Sequence, residues 1–336
     1  MGTRIVGTGS SLPPRVLTNH EIEARSGYDR AGHRGLSLDE WARSHHGGRL
    51  RHVAEPGRAT SDLATEAAGR ALSDAGRTAA EIDLIVLSTF TGDHRLPQAA
   101  GQVQRNLGSV AKFIQVDSAC TGFIDALLVA QSLLETRRYR LALVLAADVT
   151  SMLSDPRDWL AQSVFGDAAG GVVLAWDDDP ARTVHLSTGS DGDLGDYVLV
   201  PAGGSREPLS VEALRAGRHH WRFRFSEITA WATDRMLLAT HDVLATAGIG
   251  LADIALIVPH QASLRIIEGY AAALDYPRER ILTTFCELGN VSGASIPLSL
   301  DLARRAGCVR DGDWLLMPAV GAGMAWGAAA YRWTAG

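Results

Sequence analysis

Apolar residues in this chain come in short runs with two periods, separated by polar, glycine-bearing turns. Ile82 to Ser88, Lys112 to Val116 and Leu141 to Ala146 read as short buried strands. Thr3 to Pro14 reads as a strand running into a turn. Helical spacing follows elsewhere. Thr60-Ser-Asp62 is a cap for a helix over Leu63 to Ala75, closed by Gly76. Pro97 to Leu107 reads as a second helix. After the turn Ser118-Ala-Cys-Thr-Gly122, the apolar positions Phe123, Ile124, Leu127, Leu128 and Leu133 predict a third. Asn19 to Arg58 is polar, rich in Arg, His and Gly, and weakly periodic; it reads as short helices and loops over the surface near a site mouth.

The second half repeats the first. Residues 80–86 match 252–258 at an offset of 172 (258 − 86), each after a helix ending in Ala-Gly. Leu143 to Leu145 matches Leu315 to Met317 at the same offset, and Cys120-Thr-Gly122 overlays Val291-Ser-Gly293 at 171 (293 − 122). Duplicated halves, 1–176 and 177–336, each alternating strand and helix, predict a mostly parallel sheet covered by helices in each. Packed pseudo-symmetrically, such halves bring equivalent helix starts together at the centre. The loop after the repeated strand carries His260, and the turn equivalent to the Cys120 turn carries Asn290. The repeat therefore directs Cys120, His260 and Asn290 toward one point.

That convergence changes how Cys120 reads. A lone cysteine at a strand-to-helix junction is either a buried apolar side chain or a nucleophile whose thiol is acidified by the helix start. With a histidine and an asparagine aimed at it, the nucleophile reading leads. Composition restricts the rest. The chain has 336 residues, 46% hydrophobic and 21% charged, which suits a globular protein with a large core. A net charge of −6 argues against a nucleic-acid binder. Three cysteines (Cys120, Cys286, Cys308) without framework spacing predict a reducing, cytoplasmic compartment. No Cys/His cluster has metal spacing, and no signal peptide or membrane-spanning run is expected.

Five motifs in order carry a resemblance: Asp117-Ser-Ala-Cys-Thr-Gly122, Phe165-Gly-Asp-Ala-Ala-Gly170, Pro259-His-Gln-Ala262, Gly289-Asn-Val-Ser-Gly-Ala-Ser295 and Gly321-Ala-Gly-Met-Ala-Trp-Gly327. With them the sequence resembles the ketoacyl-ACP synthase III family of the thiolase superfold. The resemblance implies an α/β thiolase fold with a five-layered αβαβα core, a homodimer, and a Cys120–His260–Asn290 triad. It implies an acyl-thioester transferase: Cys120 takes the acyl group, and the group is then condensed with a malonyl-carrier thioester by a decarboxylative Claisen reaction. The partners are acyl carrier protein and an acyl thioester. No cofactor is implied beyond the phosphopantetheine that substrates carry on carrier protein or coenzyme A.

The amides of Cys120 and Ala322 would form the oxyanion hole, where backbone donors meet charge developing on the carbonyl oxygen. His260 and Asn290 would donate N–H groups to the enolate left by decarboxylation. No carboxylate stands where a hydrolase would need one to orient its histidine. Asp167 is expected to be structural. Leu96 would bound the acyl pocket, reaching across the dimer. Trp41, Arg49, Trp159, Ser263 and Arg265 are the substrate- and carrier-binding positions that the resemblance implies. Coenzyme A users of the family commonly place arginines where this chain has His45 and Trp159, and an asparagine where it has Ser263. Ala272 and Ala273 replace a lysine pair that would face the carrier. These departures point to a specialised member in a natural-product pathway. One alternative is an acyltransferase that passes the acyl group to a hydroxyl or amine; another is a non-catalytic thiolase-fold partner subunit. Arg206 to Phe225, rich in arginine and aromatic residues, would line or cover the substrate tunnel.

Overall fold

Successive side chains of a strand point to opposite faces, and here both faces are apolar. Along Leu141–Asp148, Ala142, Val144 and Ala146 face one buried cluster, while Leu143, Leu145 and Ala147 face another. The sheet that contains this strand must therefore be covered on both sides. That requirement sets the layering of the whole molecule in the computed structural model, which describes residues 2–179 and 182–334.

The first sheet has five strands in the order Gly2–Ser11, Ala168–Asp177, Leu141–Asp148, Leu84–Ser88 and Lys112–Val116. The second has four, in the order Ile254–Ile257, Trp314–Gly321, Ala325–Arg332 and Val184–Ser190. Helices Thr60–Asp74 and Ala99–Leu107 cover the outer face of the first sheet, with Leu63, Ala67, Ala71 and Val103 packed on Ile85, Leu87 and Leu145. Helices Phe225–Ala247 and Leu264–Leu274 cover the outer face of the second. Between the sheets lie Gly122–Glu135 and Ser295–Arg305, whose Phe123, Leu127, Ile296 and Leu300 share one cluster with Val144, Met317 and Tyr331. The result is the expected five-layered αβαβα thiolase arrangement.

The expectation of mostly parallel sheets is corrected. In the first sheet, Leu84–Ser88 is parallel to both of its neighbours, but Ala168–Asp177 is antiparallel to both of its own. In the second, only Ile254–Ile257 pairs parallel to a strand. The cause is the connections. A parallel return needs a crossover along the face of the sheet, whereas only Ala322 to Met324 separate Trp314–Gly321 from Ala325–Arg332.

The duplication is visible in the elements, and its register at the centre is corrected too. A one-turn 3-10 helix, Ala119–Thr121, precedes Gly122–Glu135, and another, Ser292–Ala294, precedes Ser295–Arg305. Both open on a non-glycine residue with positive φ, Ala119 at 44° and Ser292 at 54°. These starts lie 173 residues apart (292 − 119), so Cys120 is matched by Gly293. The two turns pack on each other: a Cβ on Gly293 would stand 2.9 Å from the Ala119 carbonyl oxygen. Smaller boundary shifts come from capping. The helix expected from Leu63 begins at Thr60, because the Asp62 carboxylate reaches back to the Ala59 amide at 2.9 Å.

Candidate active site

Lys112–Val116 ends near the centre of the molecule, and the chain turns through the 3-10 helix that holds Cys120. Cys120, His260 and Asn290 line one cavity of about 740 Å³, together with the turn Gly321 to Met324. His260 and Asn290 are held from behind by backbone. The His260 amide donates to the Pro318 carbonyl at 2.8 Å, and the Asn290 amide donates to the Val164 carbonyl at 2.8 Å. Asn290 Oδ1 accepts the Ser292 amide at 2.9 Å, which leaves its Nδ2 as the group with hydrogens to offer the cavity. His260 Nδ1 lies 2.7 Å from Ser295 Oγ, which also accepts the Gln261 amide at 3.3 Å. With that amide occupying an acceptor site, the Ser295 proton is available to His260 Nδ1, and Nε2 then carries the ring hydrogen.

The thiol is not acidified. Burial pushes the Cys120 pKa from 9.0 up to about 12; the Ser292 hydroxyl lowers it in part, and the Asp148 charge raises it further. This rise corresponds to about 4 kcal/mol. A helix start contributes about 0.3–1 kcal/mol, and about 2 at best, so it cannot reverse the sign. Cys120 also stands in the 3-10 turn ahead of Gly122–Glu135 rather than inside that helix's first turn. Burial moves His260 the other way, down to about 4, so the imidazole is neutral at neutral pH. The resting pair is therefore a neutral thiol and a neutral histidine.

The turn Gly321 to Met324 closes over the nucleophile. A Cβ on Gly321 would stand 3.0 Å from the Cys120 nitrogen and 2.9 Å from the Thr121 nitrogen. Only a glycine lets the strand end lie this close to the Cys120 amide. Ala322 is part of the same cavity wall.

Trp41, Ser263 and Arg265 line the cavity, whereas Arg49, Leu96 and Trp159 stand outside its wall. Ser263 also caps Leu264–Leu274, its hydroxyl accepting the Ile266 amide at 3.2 Å. Arg49 is tied to Glu287 in an ion pair. Trp159 meets Trp41 edge-on, with ring centroids 4.8 Å apart and an interplanar angle of 87°. The ring that stacks on Trp41 is His45, at 4.1 Å and 11°. Leu96 is 85% exposed. Asp167 is buried in a structural network, accepting the amides of Ala54 at 2.7 Å and Ser151 at 2.8 Å.

Other site residues escaped the sequence reading. Phe90, Phe165 and Trp231 complete an aromatic cavity wall with Trp221 and Phe223, which come from Arg206 to Phe225, the segment expected to line or cover the tunnel. Ser292 and Ser295 lie in the Asn290 motif, and only the fold sets their hydroxyls against Cys120 and His260. A buried carboxylate, Asp148, raises the Cys120 pKa by its charge, but it does not orient His260, whose Nδ1 meets Ser295. Asp148 ends an apolar strand, where nothing in the local pattern marks it. Among the described residues, no cluster of three or more His, Cys, Asp or Glu could hold a metal ion, and no helix is long and apolar enough to cross a membrane.

Comparison with known proteins adds independent findings. Residues 114–192 match the family description 3-oxoacyl-(acyl-carrier-protein) synthase III, and residues 244–333 match its C-terminal part. The chain is 37% identical to the beta-ketoacyl-(acyl-carrier-protein) synthase III of Rhodopirellula baltica, covering 99% of each. It superposes on the crystal structure of the Pseudomonas aeruginosa 3-oxoacyl-(acyl carrier protein) synthase III with a TM-score of 0.89 at 33% identity, covering 99% of each. A priming beta-ketosynthase of a polyketide biosynthetic pathway superposes with a TM-score of 0.88 at 29% identity, covering 99% of this chain and 97% of that one. With the layered fold and the Cys–His–Asn cavity already in place, these similarities mean that the chain belongs to the 3-oxoacyl-(acyl-carrier-protein) synthase III family of acyltransferases.

Proposed function

We propose that Cys120 accepts an acyl group from a thioester and that the protein condenses it with a malonyl-carrier thioester, releasing carbon dioxide. The observation that carries this reading is the placing of Cys120, His260 and Asn290 on one cavity, with Asn290 Nδ2 and the His260 ring as N–H donors. In the first half-reaction the sulfur attacks the carbonyl carbon. Charge then develops on the oxygen, and the Cys120 and Ala322 amides stabilise it. In the second, the malonyl carboxylate leaves as carbon dioxide. The enolate oxygen takes hydrogen bonds from His260 and Asn290, and its carbon attacks the acyl-Cys120 carbonyl. A neutral His260 suits this role because it can donate without bringing a buried charge.

The preferred donor in this reading is an acyl carrier protein rather than coenzyme A. Tight binding of the coenzyme's several phosphates needs fixed cations. Here His45 stacks on Trp41, Trp159 adds no charge, and Arg49 is already paired with Glu287. Arg265, at the cavity wall, is the cation left to meet an acidic carrier. The aromatic wall suits a bulky apolar acyl group. A homodimer with Leu96 reaching into the partner's pocket is supported by that side chain's 85% exposure.

The test combines acyl donors, malonyl-carrier and the protein, and follows protein mass and carbon dioxide. Mass gain on wild type, none on Cys120→Ala, and carbon dioxide release with a lengthened product support condensation. Acyl transfer to an added alcohol or amine without carbon dioxide release refutes it.

A further inference from the structure

Ser292 touches the reacting sulfur and has no part in the mechanism above. Its hydroxyl donates to Cys120 Sγ, with Oγ 3.6 Å away. The two residues come from opposite halves of the chain, and the packing of the two central turns brings them together. A Cβ on Gly293 would stand 2.9 Å from the Ala119 carbonyl oxygen and 3.7 Å from Gly122 Cα, so glycine at 293 lets the Ser292 turn lie against the Cys120 turn. Ser292 is 1% exposed, and its amide is fixed on Asn290 Oδ1 at 2.9 Å. Its backbone makes the choice of side chain informative. The Ser292 φ of 54° lies in the left-handed region, where a residue with a Cβ is strained and glycine is not. A turn that needed only this shape would be better served by glycine. What serine adds is the hydroxyl, and that hydroxyl is held on the sulfur.

We propose that Ser292 is a further catalytic residue, whose hydroxyl donates to the Cys120 sulfur and stabilises negative charge there. The inference rests on Cys120 being the acyl-carrying nucleophile. In the first half-reaction the thiol proton leaves to solvent, and the Ser292 O–H holds the charged sulfur. A sulfur lone pair then forms the C–S bond while the carbonyl π pair moves to oxygen. When that pair returns, the bond to the donor's sulfur breaks, and the departing thiolate takes a proton from solvent. In the second half-reaction the enolate carbon attacks the acyl carbon, and the C–S bond to Cys120 breaks. Its electron pair goes back to the Cys120 sulfur, where the same O–H meets it, and a solvent proton restores the thiol. Ser292 keeps its own proton throughout.

The surroundings give this donor its weight. Burial disfavours a charged sulfur, and a hydrogen bond to the charged form is one of the few ways a fold can favour it. A helix start is too weak to offset that burial. The His260 ring is neutral, so it brings no positive charge to the site, and its Nδ1 is engaged by Ser295. The Asp148 charge opposes a thiolate. A hydroxyl suits the place because its bond strengthens as the acceptor becomes charged, and it adds no ion of its own to the core.

The test compares wild type, Ser292→Gly and Ser292→Ala by the rate of iodoacetamide alkylation of Cys120, followed by peptide mass at about pH 8, and by urea unfolding. Cys120 is partly exposed on the cavity wall, so the reagent can reach it. A hydrogen bond to a charged group is worth about ten- to a hundredfold in the thiol's ionisation. A thiolate of higher pKa is also the better nucleophile, which offsets about half of that on a logarithmic scale. Both variants should therefore alkylate about three- to tenfold more slowly than wild type. Glycine takes a positive φ without strain and alanine does not, so the urea midpoint should be higher for Ser292→Gly than for Ser292→Ala. The expected result is thus a rate that follows the hydroxyl and a stability that follows the backbone. Rates within about twofold of wild type in both variants, or faster, overturn the proposal. A slow Ser292→Ala beside a Ser292→Gly at the wild-type rate assigns the effect to backbone strain and overturns it too. Ser292→Gly keeps the amide that bonds Asn290 and decides the matter alone if Ser292→Ala does not fold. A wild type that alkylates faster than both variants yet takes no acyl group from any donor refutes the condensing function and leaves the thiolate donor standing.

Discussion

Gly321→Ala is a one-methyl change whose consequence can be worked from distances. The new Cβ would stand 2.9 Å from the Thr121 nitrogen, 3.0 Å from the Cys120 nitrogen and 3.3 Å from Cys120 Cα. An ordinary contact is about 3.4–4 Å, and the atoms met are backbone, so the two chain segments must part by about half an ångström. Such overpacking costs about 1–3 kcal/mol of stability. The chemical cost is larger. The methyl covers the Cys120 amide, the first proposed oxyanion donor, and parting the segments moves Ala322 away from the second. Loss of one such donor slows the reaction by about 10²–10³-fold. Acylation of Cys120, timed by intact mass in a quenched-flow series, should therefore slow at least about a hundredfold. Alkylation by iodoacetamide develops no oxyanion and should change by less than about threefold. Urea unfolding of the same sample checks that the variant is native. Acylation within about threefold of wild type would refute the oxyanion assignment. Parallel loss of acylation and alkylation would mean that the thiol itself has been displaced.

Asn290→Ala should still take an acyl group on Cys120 yet release carbon dioxide from malonyl thioester at least about a hundredfold more slowly, because one enolate donor is gone; loss of acylation with decarboxylation intact would reverse the roles. Arg265→Glu should weaken an acyl-carrier donor by about ten- to a hundredfold, the worth of a charge-assisted contact, and weaken the coenzyme A donor far less, as read from the concentration dependence of acylation. Acid should destabilise the fold through its buried neutral histidines. His46 is lowered to about 3 and His260 to about 4, both by burial, so the unfolded chain binds more protons below about 6.5. Stability is lost as pH falls from about 6.5 through about 4. The His260 share is about 3 kcal/mol, and His260→Gln should flatten that part of the urea-midpoint curve.

Periodicity alone located the strands Lys112–Val116 and Leu141–Asp148, and the helices around them to within a few residues, because each buries apolar residues with a regular period. The internal repeat directs Cys120, His260 and Asn290 to the one cavity they line, since halves packed pseudo-symmetrically meet at equivalent turns. Strand direction was not legible. It depends on whether a connection crosses the sheet or folds back at one end, and alternating strand and helix patterns look alike in both cases. Nor was the pairing of charges: Arg49 reads as a substrate-binding cation, and only the fold sets Glu287, distant in sequence, beside it. The acidity of Cys120 is hidden from the sequence for a related reason. A helix start is a local feature that the sequence displays. Desolvation depends on everything that surrounds the thiol, and only the folded chain assembles that shell. Asp148 is the extreme case: an acidic residue at the end of an apolar strand, it is buried on the Thr89 and Thr91 hydroxyls, and its charge acts on Cys120 only once the chain has folded.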